Sequence, residues 1–77
     1  MHKLLDTVAL THDLPAARLR SGDVGAVVEV LAPDAYEVEF VAASGRTQAV
    51  VTLSSADIRA LGDSDLLAVR SLAQTAA

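Results

Sequence analysis

Alternation is cleanest over residues 35–42, where Tyr36, Val38 and Phe40 fall on one side of an extended chain and Glu37 and Glu39 on the other. A period of two predicts a half-buried strand. Residues 24–31 are richer in valine but less regular, and predict a strand by β-branched content. Residues 47–53 predict another. Ser44-Gly45 between this run and residues 35–42 predicts a hairpin, glycine supplying the positive φ of a tight turn. Residues 3–10 predict a first strand with Val8 and Leu10 on one face, and Ile58-Arg59-Ala60-Leu61 predicts a short last one. Leu14-Pro15 breaks the first pattern, residues 16–22 read as a polar loop, and Ala32-Pro33-Asp34 reads as a turn. Ser54 to Asp57 predict one capped helical or 3₁₀ turn. Beyond Gly62, residues 64–74 are helix formers behind a serine cap. The expectation is a mainly all-β domain of five strands over residues 1–61, followed by a C-terminal helical segment or tail over 62–77.

Register follows from pairing like faces across each turn. A hairpin centred on Ser44-Gly45 sets Phe40 opposite Ala49, Val38 opposite Val51 and Tyr36 opposite Leu53, all inward. Across Ala32-Pro33-Asp34 the matching register sets Val28 opposite Val38, Ala26 opposite Phe40 and Glu29 opposite Glu37. The expected core is Val8, Leu10, Val28, Val30, Val38, Phe40, Val51, Leu53 and Ile58. The outward face then carries Val27, Val41 and Val50 among Glu29, Glu37 and Glu39. Outward valines are ordinary on a strand surface; beside acids that face one another they also have the anatomy of a protein-binding patch, and these six residues are the candidate site. Leu66, Val69 and Ala73 share a helical face, so the C-terminal segment is a candidate cover for the valines.

Composition narrows the function. The chain has 77 residues, short for a domain, so it needs a dense core or a partner such as a second copy; a symmetric homodimer is the simplest closed solution. Hydrophobic residues make up 52%, nearly all aliphatic, since Tyr36 and Phe40 are the only aromatics. The absence of cysteine removes disulfides, thiolate ligands and a cysteine nucleophile. Asp6 interrupts the N-terminal segment before an apolar run forms, and no stretch is long enough to span a bilayer. The expected location is therefore cytoplasmic, away from membrane. Ten acids against six basic residues give a net charge of −4, which disfavours a phosphate backbone and favours a basic protein partner.

Tests for catalytic and ligand chemistry leave no cofactor, metal or catalytic residue to nominate. His2 and His12 stand ten positions apart, and His12-Asp13 alone falls short of the four ligands of a zinc site. Ser54, His12 and Asp57 could be assembled as a triad, but no nucleophile elbow accompanies them, and a hydroxyl at a turn ordinarily caps it. Gly22-Asp23-Val24-Gly25 lacks the Lys and Ser/Thr of a phosphate loop. Gly25 reads as a bulge or bend inside a strand. Arg18 and Arg20 flank Leu19 in the long loop, a solvated pair with a secondary reading as an acid-recognising site.

Leu5-Asp6-Thr7-Val8, Leu14-Pro15, the run Gly22-Asp23-Val24-Gly25-Ala26-Val27-Val28-Glu29-Val30, Tyr36 to Phe40, Leu53 and Ile58-Arg59 together resemble a bacterial family of short proteins classed as a domain of unknown function. The resemblance covers roughly residues 4–61. It implies a five-stranded SH3-like barrel. The Gly-Asp-Val-Gly element is similar in style to SH3-like accessory subunits of electron-transfer and hydratase enzymes, which dock and carry no catalytic groups. The family's association with neighbours resembling small toxins or nucleases implies an antitoxin- or immunity-like partner. The leading expectation is a non-catalytic protein-interaction module. The alternatives are a structural accessory subunit of an enzyme complex and a small nucleic-acid-binding barrel.

Overall fold

The structure is a computed structural model that describes residues 2–73. Five strands, β1 (Thr7–Leu10), β2 (Val24–Leu31), β3 (Ala35–Val41), β4 (Thr47–Leu53) and β5 (Ile58–Ala60), form one antiparallel sheet in the order β4-β3-β2-β1-β5. The fold is all-β, with one 3₁₀ turn at Pro15–Ala17. Residues of every strand meet in a single core of Val8, Leu10, Leu19, Val27, Tyr36, Val38, Phe40, Leu53 and Ile58, so the sheet curls around it in a small barrel-like form.

The β3–β4 hairpin has the register that its alternation dictates: Tyr36 pairs with Leu53, Val38 with Val51 and Phe40 with Ala49. Gly45 holds φ at 89°, and its N–H donates to the Ala42 carbonyl at 2.8 Å. The pairing of Glu29 with Glu37 is also as expected.

The N-terminal half of β2 is different. Val27, not Val28, lies opposite Val38, because the register shifts between Val27 and Glu29 and Val28 is the extra residue of a bulge. Val27 is therefore fully buried, whereas Val28 is 37% exposed. The outward placement of Val27 and the inward placement of Val28 are both corrected. The bulge also brings Gly25, rather than Ala26, under Phe40. A Cβ on Gly25 would lie 2.8 Å from the Glu39 carbonyl oxygen and 2.9 Å from Phe40 Cδ2, so only glycine admits the ring. The irregularity expected at Gly25 thus sits three residues later. Val30 opposes Tyr36 next to the Ala32–Asp34 turn and is 47% exposed, so it too leaves the expected core.

Three further expectations change. The first strand is shorter, because Lys3 and Asp6 close a turn: the Lys3 N–H donates to Asp6 Oδ2 at 2.8 Å and the Asp6 N–H to the Lys3 carbonyl at 3.0 Å. Leu4 and Leu5 are left exposed by it. The long loop is not simply polar. Leu14 and Leu19 exchange backbone hydrogen bonds of 2.9 and 3.1 Å, and Arg18 at φ 59° turns Leu19 into the core. Finally, no helix forms in the C-terminal segment through Ala73. A helix of that length is marginal in water without a face to pack on. Instead, Asp65 accepts the Gly62 N–H at 2.6 Å and pairs with Arg59, and further on Arg70 pairs with Asp23. Gln74 lies outside the described residues.

Candidate functional site

Outer-face residues of β2, β3 and β4 form a continuous strip. Glu39 lies between Ala26 on β2 and Val50 on β4, and Glu37 lies between Glu29 and Thr52. Val41 and Val50 are about half exposed, at 50% and 53%. Of the six candidate residues the structure thus brings Glu29, Glu37, Glu39, Val41 and Val50 to one surface and removes Val27 to the core. Facing glutamates should repel. Here each β3 carboxylate leans toward β4: Thr47 Oγ1 donates to Glu39 Oε2 at 2.6 Å, and Thr52 Oγ1 donates to Glu37 Oε1. Both contacts turn the β3 carboxylates toward β4 rather than toward Glu29 on β2. Among the described residues, the ion pairs are His12–Asp57, Arg59–Asp65 and Arg70–Asp23, none of which neutralises this strip. The surface is therefore anionic around an apolar pair of valines.

Ser54, Asp57 and His12 do come together, but in an order that does not activate a nucleophile. Asp57 sits in the middle, its Oδ2 accepting from the Ser54 N–H at 2.9 Å and the Ser54 hydroxyl at 3.2 Å, its Oδ1 lying 2.7 Å from His12 Nε2. His12 Nδ1 is taken by the Asp13 carbonyl at 2.9 Å. Both ring nitrogens are thus committed away from the serine, which needs an imidazole as its base. The cluster clamps the turn before β5 to the end of β1, helped by Thr11, whose Oγ1 donates to the Ala56 carbonyl at 2.8 Å. Hydrogen bonding to Asp57, then to the Asp13 carbonyl, raises the His12 pKa above its usual 6.5, and His12 and the Ser54 N–H in turn lower that of Asp57. Among the described residues, no group of three or more His, Asp or Glu side chains is placed to hold a metal ion, and no helix is long and apolar enough to cross a membrane.

A third cluster went unread in the sequence because its members lie about fifty residues apart. Arg70 Nε donates to Asp23 Oδ1 at 2.9 Å, and its Nη2 bonds the second carboxylate oxygen and, at 3.2 Å, the Arg18 carbonyl. Arg18 answers by donating from Nη2 to the Leu72 carbonyl at 2.9 Å. Burial pushes the Asp23 pKa up, but Arg70 and the Arg20 N–H outweigh it and hold the carboxyl below its usual range. The segment anchored in this way borders a groove beside Val24 and Val41. The expected cover by a helical face of Leu66, Val69 and Ala73 does not form: Leu66 is 91% and Val69 100% exposed, and Val41 and Val50 stay about half exposed.

No curated protein and no solved structure matches the chain. One family profile does, over residues 4–60, a stretch that starts ahead of β1 and ends with β5. It takes in the Gly25–Phe40 contact, the outer face of β2–β4 and the His12–Asp57 clamp, and it stops short of the segment bearing Arg70. The chain belongs to the family described as a domain of unknown function, DUF4926.

Proposed function

We propose that this chain is a non-catalytic protein-interaction module whose outer β2–β3–β4 face docks on a basic, partly apolar protein surface. The observation that carries the reading is the pairing of half-exposed Val41 and Val50 with three glutamates that no basic side chain neutralises among the described residues. Apolar contact supplies affinity on such a patch, and an acidic rim steers a cationic partner and rejects anionic ones. The engagement of both His12 nitrogens favours docking over catalysis. The barrel reading is SH3-like: the strand order, the long β1–β2 loop and the single turn before β5 all fit that form. An antitoxin- or immunity-like role is the specific version in which the partner is a basic toxin, and a cytoplasmic setting accords with the lack of cysteine.

Immobilised wild-type chain, Val50→Asp and Glu39→Lys are to be challenged with extract of the source cells. Wild type is expected to retain one basic protein in stoichiometric amount, released by raised salt, and both variants to lose it while melting normally. Equal retention by all three, or none by wild type, would refute docking on this face.

A further inference from the structure

Strand β4 ends the sheet with β3 as its single neighbour, and among the described residues no backbone hydrogen bond joins it to any other element. Half the N–H and C=O groups of such a strand point away from its neighbour and are free to pair. The opposite edge, β5, is three residues long and carries Arg59, held to Asp65. Strand β4 is seven residues long and has neither a charge nor a proline, the usual devices that keep an edge from pairing. Blunting is confined to its hairpin end, where the register shifts between Phe40 and Val41 and Gln48 Nε2 donates to the Ala17 carbonyl at 3.2 Å. Residues 49–53 keep an open edge.

The core is open along the same line. On the inner face of β3, Tyr36, Val38 and Phe40 are buried, whereas Val51 and Ala49, opposite Val38 and Phe40 on β4, pack against the core and are only partly buried. On the outer face the β3 glutamates bend over β4. Thr47 and Thr52 each hold one oxygen of Glu39 and Glu37, and each carboxylate retains acceptor sites. A strand added to β4 lies about 4.8 Å beyond it, which puts those carboxylates within reach of its lysine or arginine side chains. We propose that the free edge of β4 receives an extended basic segment of the partner protein as an added strand, its apolar side chains closing the core over Ala49 and Val51 and its cations on the other face reaching Glu37 and Glu39. The inference rests on the proposed docking of a basic partner at the β2–β3–β4 face and shares Val50, Glu37 and Glu39 with that patch. It adds the mode of binding, through the partner's main chain.

Charge decides the occupant. A second copy pairing its own β4 with this edge brings no basic side chain on that strand, so both carboxylates stay unpaired while two chains of net charge −4 are joined. The C-terminal segment of the same chain is anchored elsewhere, by Arg70 at Asp23 and by Arg18 at the Leu72 carbonyl. A basic strand satisfies the edge, the open core and the carboxylates together, because alternate residues of an extended chain present apolar side chains to one face and cations to the other.

The test titrates full-length protein into a fluorescent octapeptide of alternating lysine and valine and reads anisotropy. Wild type is expected to bind it below millimolar concentration. The lysine N–H groups lie along one edge of the extended peptide and the valine N–H groups along the other. N-methylation of one set should therefore weaken binding tenfold or more, and N-methylation of the other should change it little. Glu39→Lys should weaken binding of the unmodified peptide severalfold while melting as wild type does. No binding up to millimolar protein, or equal binding of the two methylated peptides, would overturn strand pairing. In the latter case a loss with Glu39→Lys would still leave docking on the outer face standing. Methylation-sensitive binding that is indifferent to Glu39→Lys would overturn the basic occupant and the outer-face reading with it. A wild-type dimer at micromolar concentration in sedimentation equilibrium, dissolved by the peptide, would assign the edge to a second copy and overturn the proposal.

Discussion

At Gly25 no side chain can be added without moving Phe40 or the Glu39 carbonyl, which a new Cβ would approach to 2.9 and 2.8 Å. Gly25→Ala should therefore destabilise the domain by about 1–3 kcal/mol through overpacking. Phe40→Ala should cost ~3–5 kcal/mol through the cavity it leaves. Chemical denaturation of both variants checks the pair, and a Phe40→Ala chain as stable as wild type would contradict the burial of that ring. His12 offers a different test. Its folded pKa is raised above 6.5, so its contribution to stability is complete below about pH 6.5 and is lost as pH rises through the folded value. Asp57 is lowered below 3.8, so its contribution is present above about pH 3.8 and is lost as pH falls through the folded value. The clamp is strongest between those limits. Melting temperatures measured from pH 5 to pH 9 should fall on the alkaline side in wild type, and the fall should be smaller in His12→Gln. Identical profiles for the two proteins would show that the contact carries no linkage.

Among the elements, the β3–β4 hairpin was legible from Tyr36 to Phe40, where strict alternation on β3 leaves one register, but nearer the turn the register shifts and sets Val41 opposite Thr47 rather than Gln48. Strand β2 was not. Val24-Gly25-Ala26-Val27-Val28 places apolar or small residues at five successive positions, so neither face is marked, and a one-residue bulge exchanges Val27 with Val28 at little cost to the pattern. The deciding contact, glycine under Phe40, is long-range and has no local trace. The C-terminal segment misled in another way: its helix propensity is real, but its anchors, Asp23 and Arg18, lie far away in the chain. These assignments separate experimentally. Val27→Asp places a charge in the core and should unfold a domain of this size, whereas Val50→Asp should change stability by about 0.5 kcal/mol or less. Equal damage from the two substitutions, read by circular dichroism and thermal melting, would contradict the assignment of faces.

For the molecule as a whole, net charge and the acidic outer face set the expected partners. At physiological salt, binding to DNA or RNA should be no tighter than the non-specific ~10⁻⁴–10⁻⁶ M, measured by fluorescence anisotropy. A salt-sensitive submicromolar complex would reverse the sign of the electrostatic argument. Five of the six candidate surface residues were legible from the alternation on β3 together with pairing across its two turns. The groove beside Asp23 was not, because its walls come from three separated parts of the chain. The central claim, that the outer face of β2–β4 meets a protein, is tested most directly inside the source cells. A photoreactive amino acid placed at position 50 should cross-link the full chain to one basic protein, and the same probe in the exposed turn at position 34 should not. No adduct from position 50, or the same adducts from both positions, would contradict the account.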